Sequence, residues 1–215
     1  MEKRAFLFDL DGVIFDTEGQ YTVLWNRIGA DWLGDADFGK KIKGQTLVQI
    51  FGRHFPDNEA ARKDIQERLN RFEGEMSYEY VPGVEDFLRA LAGNDIPRAI
   101  VTSSNRAKME HVYRVHPEIR DMFTHIFTGE DFTRSKPAPD CYLLGMKTYG
   151  TAPEATFIFE DSFSGLQAAK DSGGNVIALA TTNSREAVVP YAGLVIDDFK
   201  GLTPEAVMKN FCKDE

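Results

Sequence analysis

The chain has 215 residues, 42% of them hydrophobic with 16 Phe, and a formal net charge of -9. That length suits one large core plus a smaller inserted or appended unit, and the composition excludes a disordered segment. The acidity, with no clustered basic patch, argues against a nucleic-acid or anionic-membrane surface, and no apolar stretch approaches the length needed to span a bilayer.

Met1-Glu2-Lys3-Arg4 has a basic flavour, but Asp9 interrupts the apolar run after Phe8, so it does not read as a secretory signal. Cys141 and Cys212 give neither a metal spacing nor a disulfide framework. Cytoplasmic residence is the default expectation. An acidic chain repels an anionic substrate unless local positive charge is supplied, which a bound cation would do.

In chain order, the apolar runs Ala5–Phe8, Arg98–Val101, His125–Phe127, Thr156–Phe159, Val176–Leu179 and Leu194–Ile196 predict strands buried on both faces of a parallel sheet. Helical spacing separates most of them: Val84–Leu91 with Pro82 before and Gly93 after, Arg106–Arg114, Ala138–Tyr149 and Ser164–Ser172. The fold class is therefore α/β, a Rossmann-like parallel sheet flanked by helices. Residues 18 to 80 are the exception. Tyr21, Leu24, Trp25 and Ile28 share one helical face, Leu47, Ile50, Phe51 and Phe55 share another, and Glu59–Tyr78 reads as one long amphipathic helix. The expected organisation is a core of 1–16 and 82–215 with a helical unit of 17–81 inserted after the first strand. Such a unit sits over the carboxyl ends of the strands, where open α/β sheets bind ligands.

The first strand runs into Asp9-Leu10-Asp11-Gly12. Strand alternation points Asp9 and Asp11 the same way, and two carboxylates so close need a cation or a shared proton. One can attack phosphorus and bind metal while the other protonates a leaving oxygen and later activates water. The plainer alternative is that the pair caps a strand-to-turn junction. After Val101, Thr102-Ser103-Ser104-Asn105 offers hydroxyls and free N–H groups at a helix start, an anion site with Thr102 on the phosphate, or simply an N-cap by Ser104 or Asn105. Lys136, in Arg134-Ser135-Lys136-Pro137-Ala138-Pro139-Asp140, is either a cation for phosphate and nucleophile or a solvated lysine. Glu160-Asp161-Ser162 gives adjacent acids at another strand end, suited to Mg²⁺ or to an acidic N-cap. All four fall at or near the carboxyl end of a predicted strand.

In that order, Asp9-Leu10-Asp11-Gly12-Val13, Thr102-Ser103-Ser104, Ser135-Lys136-Pro137-Ala138-Pro139 and Glu160-Asp161-Ser162 resemble the motifs of the haloacid dehalogenase-like superfamily, in its phosphatase and β-phosphoglucomutase-like branch. The resemblance implies a central first strand beside the strand of the acidic pair and an aspartyl-phosphate on Asp9. It further implies Asp11 as general acid and base, and Thr102 and Lys136 on phosphoryl oxygens. The expected metal ligands are Asp9, Asp11, Glu160 and Asp161, with Mg²⁺ as cofactor. Asp11 argues against the dehalogenases, which lack that second acid. The helical unit is implied to be a mobile cap hinged near Asp16-Thr17 and Val81-Pro82-Gly83. Its turn Ile42-Lys43-Gly44-Gln45-Thr46-Leu47 resembles the branch's substrate-facing loop, making Lys43, Gly44 and Gln45 expected substrate contacts beside Ser103 and Ser104.

Leu47 stands where sugar phosphomutases typically carry an arginine for a second phosphate. Hydrolysis of a small phosphorylated metabolite, such as a sugar phosphate, is thus preferred over mutase activity, with a pyrophosphatase or an inactive binding protein further behind. His54, His111, His116 and His125 lack ligand spacing and read as surface or packing residues. A self-capped site needs no partner subunit, so a monomer is expected.

Overall fold

The computed structural model describes residues 3–43 and 45–212. Strands β1 (Ala5–Phe8), β2 (Arg98–Val101), β3 (His125–Phe127), β4 (Thr156–Glu160), β5 (Asn175–Leu179) and β6 (Leu194–Ile196) form one parallel sheet in the order β3-β2-β1-β4-β5-β6. Helices α1 (Glu18–Leu33), α2 (Phe38–Lys41), α3 (Leu47–His54), α4 (Glu59–Glu75) and α5 (Val84–Gly93) lie between β1 and β2. The remaining helices are α6 (Arg106–Val115), α7 (Ile119–Met122), α8 (Asp140–Tyr149), α9 (Phe163–Asp171), α10 (Arg185–Val188) and α11 (Pro204–Phe211). Among the described residues, no helix is long and apolar enough to cross a membrane.

The period of two along each central strand fills both faces. Phe6 and Phe8 of β1, Ile100 of β2, and Phe157 and Phe159 of β4 enter one apolar cluster, while Leu7, Ala99, Val101 and Ile158 enter the other. The β1–β4 register pairs Phe6 with Phe157 and Phe8 with Phe159, stacking their rings at centroid distances of 4.8 and 4.7 Å. The expected burial fails for the edge strands. β3 and β6 each have a neighbour on one side only, and none of their residues is fully buried.

Local chemistry sets most helix limits. Asn58 caps α4 by accepting the Ala61 N–H, and Thr46 and Gln49 form a reciprocal capping box at α3. Several boundaries differ from the sequence expectation by a few residues: Gly93 is the last residue of α5 rather than the residue beyond it, α4 stops at Glu75, α8 starts at Asp140 and α9 spans Phe163–Asp171. α1 to α4 surround their own cluster of Trp25, Ile28, Phe38, Ile50, Phe55 and Ile65. The chain enters and leaves this stretch along adjacent paths: Asp16 N–H donates to Glu79 O at 2.8 Å and Val81 N–H to Ile14 O at 2.9 Å.

Phe159 is fully buried between Phe8, Phe87 and Phe199. Phe159→Ala is expected to lower the urea-unfolding free energy by about 3–5 kcal/mol, whereas Val48→Ala, at a side chain 78% exposed, should change it by less than about 0.5 kcal/mol.

Candidate active site

The chain leaves β1 toward β2 on one side and β4 on the other, so the carboxyl end of β1 is the switch point of the sheet. Asp9 follows β1 there, its N–H donating to Phe159 O at 3.0 Å, which sets it beside Glu160 and Asp161. Gly12, at φ +74°, permits the tight turn; a Cβ at this position would lie 2.0 Å from Asp161 Oδ2.

One carboxylate oxygen each from Asp9, Glu160 and Asp161 lies within 4.8 Å of the others. Lys136, 5% exposed, donates from Nζ to Asp9 Oδ1 at 2.6 Å, Glu160 Oε1 at 2.5 Å and Val101 O at 3.0 Å. It is thus no solvated surface lysine. Tyr142 Oη donates to Glu160 Oε1 at 2.8 Å, and Glu160 Oε2 accepts the N–H groups of Asp161 and Ser162 at 3.0 and 3.2 Å. Ser162 rather than Asp161 caps α9, and Asp161 joins the acidic cluster. Asp161 Oδ2 accepts from Thr182 Oγ1, whereas Asp161 Oδ1 is buried without a hydrogen-bond partner.

That orphaned oxygen, and three carboxylates facing one ammonium, fit a hard divalent cation with oxygen ligands. Asp9, Glu160 and Asp161 would hold it. Burial, then Glu160, push the Asp9 carboxyl from 3.8 up to about 7 despite Lys136, and burial, then Glu160, push Asp161 well above the carboxylate range. Burial opposes the charged form of Lys136, but Asp9 and Glu160 outweigh it and raise its affinity for the proton.

Asp11, expected among the metal ligands, has its carboxylate turned away from that cluster. Its Oδ1 accepts from Thr17 Oγ1 at 2.8 Å, and its Oδ2 from Ser104 Oγ at 3.2 Å and Lys108 Nζ at 2.5 Å. Lys108, 3% exposed, also donates to Tyr21 Oη at 2.8 Å, and Tyr21 Oη donates to Glu73 Oε1 at 2.9 Å. Sequence reasoning missed Lys108, Tyr21, Glu73, Tyr142 and Thr182. Lys108 carried a faint signal, since a lysine in the first turn of a helix opposes the helix dipole unless an anion faces it.

Asp9, Asp11, Thr102, Ser103, Ser104, Ser135 and Lys136 line a cavity of about 270 Å³ together with Gln45 and Leu47 of the helical stretch. An adjoining cavity of about 330 Å³ shares Asp11, Gln45, Leu47, Ser103 and Ser104 and adds Lys43, Tyr21, Glu73 and Lys108. Thr102 Oγ1 accepts Ser104 N–H at 3.0 Å, while Asn105 caps α6. Lys43 Nζ donates to Thr182 O at 3.2 Å. Gly44 lies outside the described residues.

Two outcomes test the crowding of this site. A Cβ on Gly165 would lie 1.8 Å from Glu160 Oε1, so Gly165→Ala, although it favours a helix intrinsically, is expected to destabilise by about 1–3 kcal/mol in urea unfolding. In EDTA, between roughly pH 4 and pH 7, the folded protein retains protons on Asp9 and Asp161 that the unfolded chain has released. Its stability from these groups therefore falls as pH rises, and added Mg²⁺ should flatten the fall in a series of thermal melts.

The family model described as haloacid dehalogenase-like hydrolase matches residues 6–179. The chain is 29% identical over 213 residues to (DL)-glycerol-3-phosphatase 1, mitochondrial, of Arabidopsis thaliana, covering 93% of this chain and 71% of that protein. It is 28% identical over 187 residues to the phosphorylated carbohydrates phosphatase of Thermotoga maritima, covering 79% and 82%. A haloacid dehalogenase-superfamily (HAD) hydrolase of Entamoeba histolytica, family IA, variant 3, shares the fold at a TM-score of 0.84 and 23% identity, with 98% and 99% covered. With its acidic cluster at the switch point of the sheet and a family match over most of its length, the chain belongs to the haloacid dehalogenase-like hydrolases.

Proposed function

We propose that this hydrolase is a magnesium-dependent phosphatase of a small phosphorylated metabolite, a sugar phosphate or similar ester, acting through a phosphoryl group carried on Asp9. The observation that carries the reading is the Asp9 carboxylate, held by Lys136 at 2.6 Å within the acidic cluster and opening on a cavity lined by hydroxyls. The names of the Arabidopsis and Thermotoga relatives, both phosphatases, support the same class.

Asp9 attacks phosphorus as the ester P–O bond breaks, and Asp11 gives its proton to the leaving oxygen. Asp11 then takes a proton from the water that attacks phosphorus and releases Asp9. Lys136 and the hydroxyls of Thr102, Ser103 and Ser104 donate to phosphoryl oxygens. Magnesium held by Asp9, Glu160 and Asp161 supplies the positive charge that offsets both the carboxylates and the phosphoryl group. The phosphate occupies the inner cavity and the rest of the substrate the adjoining one, against Lys43 and Gln45. Residues 17–81 serve as a cap that excludes water, moving on the paired crossings at Asp16-Thr17 and Val81-Pro82-Gly83.

Hydrolysis is favoured over phosphoryl migration because Leu47 lines both cavities, while Arg53 and Arg71 are exposed and Arg53 bonds Gln45 Oε1 at 3.3 Å. Lys43, which lines the outer cavity, is the feature that favours a mutase. Hexose 1-phosphate converted to the 6-phosphate without net phosphate release would establish that second reading.

Phosphate release measured across a panel of phosphate monoesters with Mg²⁺ should identify substrates. Excess EDTA should abolish turnover, and Asp9→Asn should lower it by about 10³-fold or more. Turnover surviving either change refutes the mechanism.

A further inference from the structure

Asp11 is surrounded asymmetrically. Its Oδ1 meets one hydroxyl, Thr17, which can rotate to donate or accept. Its Oδ2 meets Ser104 and the Lys108 ammonium, and an ammonium can only donate. The ammonium therefore holds Oδ2 as an acceptor, whereas the partner of Oδ1, the Thr17 hydroxyl, can turn either way.

Lys108 is itself fixed. It is 3% exposed, its Nζ lies 5.0 Å from the Tyr21 ring centroid, and it donates to Tyr21 Oη, whose hydrogen goes to Glu73. α6 thus contributes the lysine and α1 and α4 the groups that aim it, so the orientation of Asp11 depends on the helical stretch being seated on the sheet.

We propose that Lys108 is the positioning residue of Asp11: by pinning Oδ2, it makes Oδ1 the oxygen that exchanges the proton with the substrate's leaving oxygen and with water. The proposal rests on the phosphatase reading above. In the first half-reaction the Asp11 Oδ1–H bond breaks and its proton joins the leaving oxygen, while that oxygen's bond to phosphorus breaks and the Asp9–phosphorus bond forms. In the second, a water proton returns to Oδ1 as the water oxygen binds phosphorus and the Asp9–phosphorus bond breaks.

Lys108→Met tests this with two esters, glycerol 3-phosphate, whose alkoxide needs a proton to depart, and p-nitrophenyl phosphate, whose nitrophenolate does not. kcat/KM reports the first half-reaction. It should fall about 30-fold or more for glycerol 3-phosphate and less than about threefold for the nitrophenyl ester. The inhibition constant of glycerol 3-phosphate against the nitrophenyl reaction should stay within about threefold, because Lys108, although it lines the adjoining cavity, directs its ammonium to Asp11 and Tyr21. Lys108→Arg should recover part of the loss. Tyr21→Phe, which keeps the ring and removes the acceptor, should show a smaller loss with the same bias.

Equal losses on both esters in the Lys108→Met and Tyr21→Phe variants, or an inhibition constant raised tenfold or more, overturn the assignment and leave the phosphatase reading standing. No phosphate released by the unaltered protein from these two esters or from any other ester of the panel removes both.

Discussion

Everything at this site follows from the mutual repulsion of the carboxylates gathered where β1 and β4 end. At separations of 4.8 Å or less and an effective dielectric of about 20, each ionised pair repels by roughly 3 kcal/mol or more. Lys136 answers part of that, touching Asp9 and Glu160 but not Asp161. The surrounding geometry accommodates the rest: Tyr142 and two backbone N–H groups also donate to Glu160, while Asp161 Oδ1 is buried with no hydrogen-bond partner. A cluster of this kind could hold a cation, and the phosphoryl chemistry proposed for it uses the same charge balance.

The two aspartates of one short loop are thereby given different surroundings by their neighbours. Asp9 stays in the plane of the sheet, against Lys136 and the β4 acids. Asp11, past the point where the chain starts to turn, meets donors from Thr17 just before α1, from α6 and from the loop after β2. Such separation of environments supports the proposed division of attack and proton transfer between them.

Much of this arrangement was legible in the sequence, because the strands at the centre of the sheet are short, apolar and each followed by chemistry-bearing residues. The pleat alone places Asp9 at an exit from the core, and apolar runs such as Ala5–Phe8 and Thr156–Phe159 have no other economical burial. The edge strands looked the same in sequence yet lie half-exposed, since a run of three residues carries no record of how many neighbours it has. Lys108 was illegible for a related reason: its value comes from Tyr21 and Asp11, which are 87 and 97 positions away. Asp11 was placed with the metal ligands because spacing gives the strand's direction but not the rotamer, and the donors that turn its side chain come from Thr17, Ser104 and Lys108.

The entry and exit of the helical stretch run antiparallel and bonded to each other, from Ile14 to Asp16 and from Glu79 to Val81. Its two ends therefore meet at nearly one point on the sheet's rim, much as a handle meets a cup. The barrel of chemistry beneath need not feel the size of what is attached there: helices can lengthen, shorten or be exchanged between the two crossings without shifting the register of β1 against β2 or β4. An architecture of this kind lets selection rewrite what the enzyme recognises while leaving untouched the residues that react.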